Sequence, residues 1–162
     1  VAGPPKDKED DLKMMDLFFS KDGKHIVCGG TTATIVSSYL KKQIETSLNY
    51  ESHDVPPMAI IDGVDLVTEG VITLSKTLEN IISYTNDNER LYDWAFKKDG
   101  ASLLTKLLLE EASDITFYVG RAVNPAHQNP NLPINFNIKM HIVEELNSHL
   151  KMIGKRIKIC YF

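Results

Sequence analysis

Cys28-Gly29-Gly30-Thr31-Thr32 joins the end of an apolar run to the start of a helical pattern. Paired glycines let backbone amides approach a ligand closely. The helix start adds unpaired N–H groups and the positive end of the helix dipole. With the hydroxyls of Thr31 and Thr32 as further donors, the segment suits a phosphate. It also suits a tight strand-to-helix turn with a threonine N-cap, and it lacks the lysine of a P-loop. In a second candidate, Asp62-Gly63-Val64-Asp65 with Thr68-Glu69-Gly70, the carboxylates Asp62, Asp65 and Glu69 follow a buried apolar run. Ligands of open parallel sheets bind outside the carboxyl ends of the strands, where these groups would hold sugar hydroxyls or a divalent cation. Otherwise the aspartates shape a turn and Glu69 favours the next helix start.

Two further segments carry chemistry. Lys97-Lys98-Asp99-Gly100-Ala101-Ser102 reads as a second phosphate contact through Lys98 and Gly100, or as an exposed helix start with charged flanks. Gly120-Arg121-Ala122-Val123-Asn124-Pro125-Ala126-His127-Gln128 places Arg121 at a strand end, where a guanidinium makes bidentate contacts with phosphate or carboxylate. Asn124, His127 and Gln128 add neutral donors on a proline-pinned loop. His141 and His149 stand eight residues apart rather than four, and His25 and His53 stand alone, so none suggests a metal pair. Gly-x-Ser-x-Gly, His-Glu-x-x-His and Cys-x-x-Cys are all absent, which leaves the usual hydrolase and zinc readings without support.

The elements that must position these residues follow from the pattern of the 162-residue chain. This is the length of one domain, able to bury roughly 70% of its unfolded surface. Apolar residues make up 43% and charged residues 25%, which excludes a collagenous or wholly disordered chain. No apolar run approaches the roughly 20 residues of a membrane span, and the polar, acidic start is unlike a signal peptide. A net charge of −4 gives no reason to expect nucleic acid. Cys28 and Cys160 read as free thilos in apolar stretches, which suits a reducing cytoplasm. A chain that opens on Val1 reads as excised from a longer one. Residues 1–6, with Gly3, Pro4 and Pro5, are expected to be a linker.

Leu12, Met15 and Phe19 mark a short helix. Strands are expected at 25–28, 44–49, 58–61, 115–120 and 156–161, and helices after Gly30 and over 138–153. Residues 71–112 form a helical segment opened by Val71, Leu74, Leu78, Ile81 and Ile82. Residues 124–137, with three prolines and five asparagines in fourteen positions, form a polar loop or lid. Strands separated by helices imply a single α/β domain, a three-layer Rossmann-like sandwich with a mostly parallel sheet.

Residues 27–33, 61–71 and 120–130, with the whole chain between the Gly3-Pro4-Pro5 junction and the terminal 156–162, resemble the C-terminal domain of stage II sporulation protein E-type serine/threonine phosphatases of bacteria. These belong to the protein phosphatase 2C class. The resemblance implies a non-catalytic regulatory or ligand-sensing domain, joined in cis to an upstream phosphatase domain whose aspartates hold paired divalent metals. The family's Asp-Gly-x-Gly signature is missing here: Asp22-Gly23-Lys24-His25 and Asp62-Gly63-Val64-Asp65 both depart at the fourth position. No catalytic or metal role is carried over, and no cofactor is expected in this fragment. Gly29-Gly30-Thr31-Thr32 also resembles the phosphate loop of DeoR-type sugar-phosphate sensor domains. With the segments at 62–65 and 98–106 it resembles ribose-5-phosphate isomerase. The isomerase's glutamate base falls on Leu107, which cannot abstract a proton.

The leading expectation is a domain binding a small phosphorylated ligand through Gly29, Gly30, Thr31, Thr32, Asp62, Asp65, Glu69, Lys98, Gly100, Arg121, Asn124 and His127. One alternative is a phosphosugar or acyl-transfer enzyme using Glu69 or Asp65 as base and His127 as acid. The other is a dimerisation or scaffold domain, with a homodimer as its partner state.

Overall fold

Strand residues alternate between two hydrophobic clusters, and that alternation sorts the helices. The computed structural model describes residues 1–46, 58–86, 92–122 and 138–162. Its helices are α1 (Asp11–Phe19), α2 (Gly30–Leu40), α3 (Val71–Asn86), α4 (Gly100–Lys106) and α5 (Ile138–Met152). Its strands are β1 (Ile26–Cys28), β2 (Glu45–Thr46), β3 (Ala59–Ile60), β4 (Leu66–Thr68), β5 (Asp114–Val119) and β6 (Arg156–Tyr161). Val27 and Val67 point into one cluster with Met14, Met15 and Phe18 of α1 and Ala33 and Val36 of α2. Their neighbours Cys28 and Leu66 join the other, with Leu74 and Ile81 of α3, Leu104 of α4, and Leu146 and Leu150 of α5. This is the period of two expected of a strand buried on both faces. Leu146 and Leu150 are fully buried, and truncating either to alanine would cost about 2–5 kcal/mol.

The sheet is mixed. β1 and β4 run parallel, while β3 is antiparallel to β4 and β2 antiparallel to β3. β5 and β6 form a separate parallel pair across six residues of register. Ala2 makes parallel bridges to both Cys28 and Val119 and so lies between the two groups of strands. Its N–H donates to the Tyr118 carbonyl, and its own carbonyl accepts from Gly120 N–H at 3.0 Å. The first residues are therefore not a linker. Ala2 is 4% exposed, and the proline-rich composition that suggested a tether begins only after the bridging residue.

The α/β class, the long amphipathic α3, the β5 strand and the closing helix–glycine–strand unit match expectation. Gly154 adopts a positive φ of 88° just past α5. The amides of Gly154 and Lys155 return to Lys151 and Leu150, a terminating turn that favours glycine. The 71–112 segment is helical through α3, a 3-10 turn (Asp93–Ala95), α4 and a π-helical turn (Leu107–Glu111) among its described residues.

Three local expectations differ. In α1 the buried face is Met14, Met15 and Phe18, and Leu12 is exposed. The strand expected to be buried at Met58 to Ile61 lies between β4 and β2 but is only partly buried, since β3 is two residues long and Ile60 is 56% exposed. The buried strand beside β1 is β4, between the turn expected at 62–65 and the helix expected from Val71. The polar loop at 124–137 lies outside the described residues, as do 47–49 of the expected second strand. No helix among the described residues is long and apolar enough to cross a membrane.

Candidate functional site

β1 and β4 lie side by side and point the same way, yet α2 and α3 leave their carboxyl ends for opposite clusters. Where neighbouring parallel strands send their helices to opposite faces, a crevice opens at the carboxyl edge. The residues turning there are Gly29 and Gly70. A Cβ on Gly70 would lie 3.5 Å from Gly29 Cα, and one on Gly29 would lie 3.8 Å from Gly70 Cα. Gly29 N–H donates to the Thr68 carbonyl at 2.9 Å, tying the α2 turn to the end of β4. Gly29 has φ 116°, which side-chain-bearing residues rarely adopt.

The first turn of α2 is left uncapped. Its N-cap is Gly29, which has no side chain to offer, so the expected threonine cap is replaced by bare backbone. The first helical bond is Ala33 N–H to Gly29 O, which leaves the amides of Gly30 to Thr32 ahead of it without helical acceptors. Gly30 is exposed, and a Cβ built on it meets nothing within 4 Å. Thr31 is exposed, whereas Thr32 is fully buried and its Oγ1 has no hydrogen-bond partner among the described residues. That oxygen stands 3.4 Å from where a Cβ on Gly29 would be, directly under the turn. Buried hydroxyls are normally paired, so this one marks the turn as unusual.

Other candidates reach the same edge. Glu69 is exposed between Thr68 and Gly70, and the Thr68 hydroxyl donates to the Glu69 carbonyl at 2.9 Å. Gly100 packs against Thr68, where a Cβ would come within 3.0 Å of Cγ2. The amino end of α4 is nevertheless already served. Asp99 accepts from Ser102 N–H at 3.0 Å and from Ser102 Oγ at 2.7 Å, so this helix start carries its own carboxylate. Lys98 is exposed beside it. Arg121 is exposed at the carboxyl end of β5, with its N–H bonded to the Phe162 carbonyl at 2.7 Å. Cys28 and Val119 both partner Ala2, which puts the Arg121 backbone about 10 Å from the Gly29 turn, two strand spacings away.

Asp62 and Asp65 are not at this edge. Because β3 runs antiparallel to β4, the chain leaving it emerges at the opposite end of the sheet. Asp62 pairs with Lys42 at 2.7 Å, beyond the carboxyl end of α2, whose length sets this point about 16 Å from Gly30. The Lys42 ammonium holds the Asp62 carboxyl below its ordinary pKa. Asp65 accepts from His25 N–H at 2.8 Å, which lowers its pKa, and Lys24 at 3.2 Å adds to this against partial burial. Both aspartates hold the turn between β3 and β4, the structural role weighed for them from sequence. Asn124 and His127 lie outside the described residues.

Two residues at this edge lie in the second candidate segment without an assigned role there: Gly70, and Thr68 as a strand terminus. The signal was present. Leu66-Val67-Thr68-Glu69-Gly70-Val71 repeats the order of Ile26-Val27-Cys28-Gly29-Gly30, an apolar strand end, then glycine, then helix. Two of the basic residues near the C-terminus are engaged within the fold. Lys155 donates to the carbonyls of Leu109 and Ala112 at the end of the π-helical turn, and Arg156 forks onto Asp114 of the neighbouring strand. Comparison of the chain with protein-family models, curated proteins and solved structures finds no match.

Proposed function

We propose that this chain is a ligand-sensing regulatory domain of the stage II sporulation protein E-type serine/threonine phosphatases, acting in the cytoplasm on a phosphatase domain joined to it in cis. In this reading the fold is a three-layer Rossmann-like sandwich with a mostly parallel sheet. A small phosphorylated ligand binds at its carboxyl edge. The observation that carries the proposal is the start of α2 beside the Gly29–Gly70 contact, which lacks a capping side chain and lies above a Thr32 hydroxyl with no partner among the described residues. Amides at a helix start, with the dipole behind them, favour an anion. Gly30 and Thr31 would hold the phosphate from the open side. Glu69 would accept hydroxyls of the ligand body, and Arg121 would supply a fixed positive charge along the edge.

Asp62 and Asp65, held in ion pairs at the other end, take no part in this site. Binding alters the attached phosphatase only if the ligand prefers one arrangement of the two domains.

The test is a thermal-shift series with sugar phosphates, nucleotides and acyl-CoA compounds. A ligand at a hundred times its dissociation constant stabilises the fold by about 2.7 kcal/mol, a shift of several degrees. Gly30→Val, at a position where an added Cβ has open space, should abolish the shift, as should Arg121→Ala. No shift from any compound would overturn the ligand-sensing reading and leave a scaffold. Unchanged phosphatase activity of the parent at saturating ligand would overturn the regulatory part alone.

A further inference from the structure

The middle of α3, the Asp93–Ala95 turn and the start of α4 surround a cleft of about 450 Å³, whose lining contains none of Gly29, Gly30, Thr31, Thr32, Glu69 and Gly70. The size falls in the range of small-molecule sites. Trp94 lines this cleft with only 6% of its surface exposed, and its indole N–H has no acceptor among the described residues. The nitrogen itself is closed to solvent, so a ligand oxygen reaches it only after a local shift of the groups over it, and an acceptor there relieves a costly unpaired donor. Tyr92 stacks on Trp94 with ring centroids 5.5 Å apart and planes 18° apart.

The polar groups around these rings select the ligand. Lys76 and Lys97 supply donors, while Glu79 and Asp93 supply acceptors. Lys76 is already paired with Glu79 at 2.8 Å. Asn80 gives its amide N–H to Thr105 Oγ1 at 3.0 Å and keeps its carbonyl oxygen as an acceptor. Charges of both signs interleave, so a strongly anionic or strongly cationic ligand would meet its own sign within the same cleft. A hydroxyl both donates and accepts, and satisfies lysine and carboxylate alike. The C–H face of a saturated ring packs well on an aromatic wall.

We propose that this cleft binds a neutral polyhydroxylated ligand of sugar size, with Trp94 Nε1 donating to one of its oxygens and Tyr92 against its C–H face. The inference is independent of the phosphate crevice.

Trp94 is the single tryptophan of the chain, so intrinsic emission reports this cleft alone. Titrating the intact chain with glucose, maltose and trehalose should give a saturable emission change with at least one of them. Glu79→Ala should weaken that sugar about threefold, and Trp94→Phe, followed by calorimetry, about tenfold. Thr32→Val, in the other crevice, should leave the affinity unmoved. If Trp94→Phe does not fold, the exposed Lys97→Ala serves in its place, with a loss of about threefold expected. No saturable change with any of the three sugars would overturn the proposal. So would an affinity that ignores both cleft substitutions, or a preference for glycine or glucose 6-phosphate over the neutral sugars.

Discussion

Gly29 and Gly70 stand backbone to backbone, so close that a Cβ on either would already lie in van der Waals contact with the other's Cα, at 3.5 to 3.8 Å. One closes β1 and the other follows β4, so the contact fixes the carboxyl edge of the two central parallel strands.

The two glycines of the first turn should respond differently to substitution. At Gly29, with φ 116°, alanine should cost about 1–2 kcal/mol of stability, read by urea denaturation. At Gly30, which carries no such strain and faces open space, valine should leave the fold nearly as stable while removing ligand-induced stabilisation.

Thr32→Val should leave stability unchanged or raise it by about 1 kcal/mol, because it replaces an unpaired buried hydroxyl with a methyl of similar shape. A loss of several kcal/mol in the same denaturation assay would mean the hydroxyl is satisfied in solution.

Gly120 is a packing glycine. A Cβ there would run into the Pro4 carbonyl group and the Gly3 carbonyl oxygen. Gly120→Ala should destabilise the fold by about 3 kcal/mol, since the obstacle is backbone and cannot swing aside. A melting temperature equal to that of wild type would show that residues 3–4 can move without cost.

Lys139 lies in the first turn of α5, where burial lowers its pKa to about 8. Its ammonium donates to the Ala122 carbonyl at 3.4 Å. Between about pH 8 and 10.5 the unfolded chain holds a proton at this site that the folded chain has released, so this group makes folding more favourable as pH rises. Lys139→Met should therefore be the more stable protein below pH 8. Its advantage should vanish across that window, measured as the difference between the two denaturation curves.

Much of the architecture was legible because some segments carry their own periodicity. Val71, Leu74, Leu78 and Ile81 trace one helical face, and Gly154 before Arg156 marks a helix stop and a strand start. The crevice was half legible, since the Gly29 turn announces itself by composition. β4 did not, because three fully buried residues show no alternation. Strand direction has no local signal at all. Asp62 was assigned to the wrong end because a parallel β3 and an antiparallel one read identically in sequence, and only pairing with β4 decides between them.

Ala2 has a kinetic consequence. Its partners Cys28 and Val119 lie in the first and last thirds of the chain, so the two groups of strands join only when a segment from one end of the sequence finds residues near the other. Contacts of that separation close late and slowly. Until then both flanking strands present bare parallel edges, which invite pairing with other chains. Insertion of this single residue thus covers two strand edges at once.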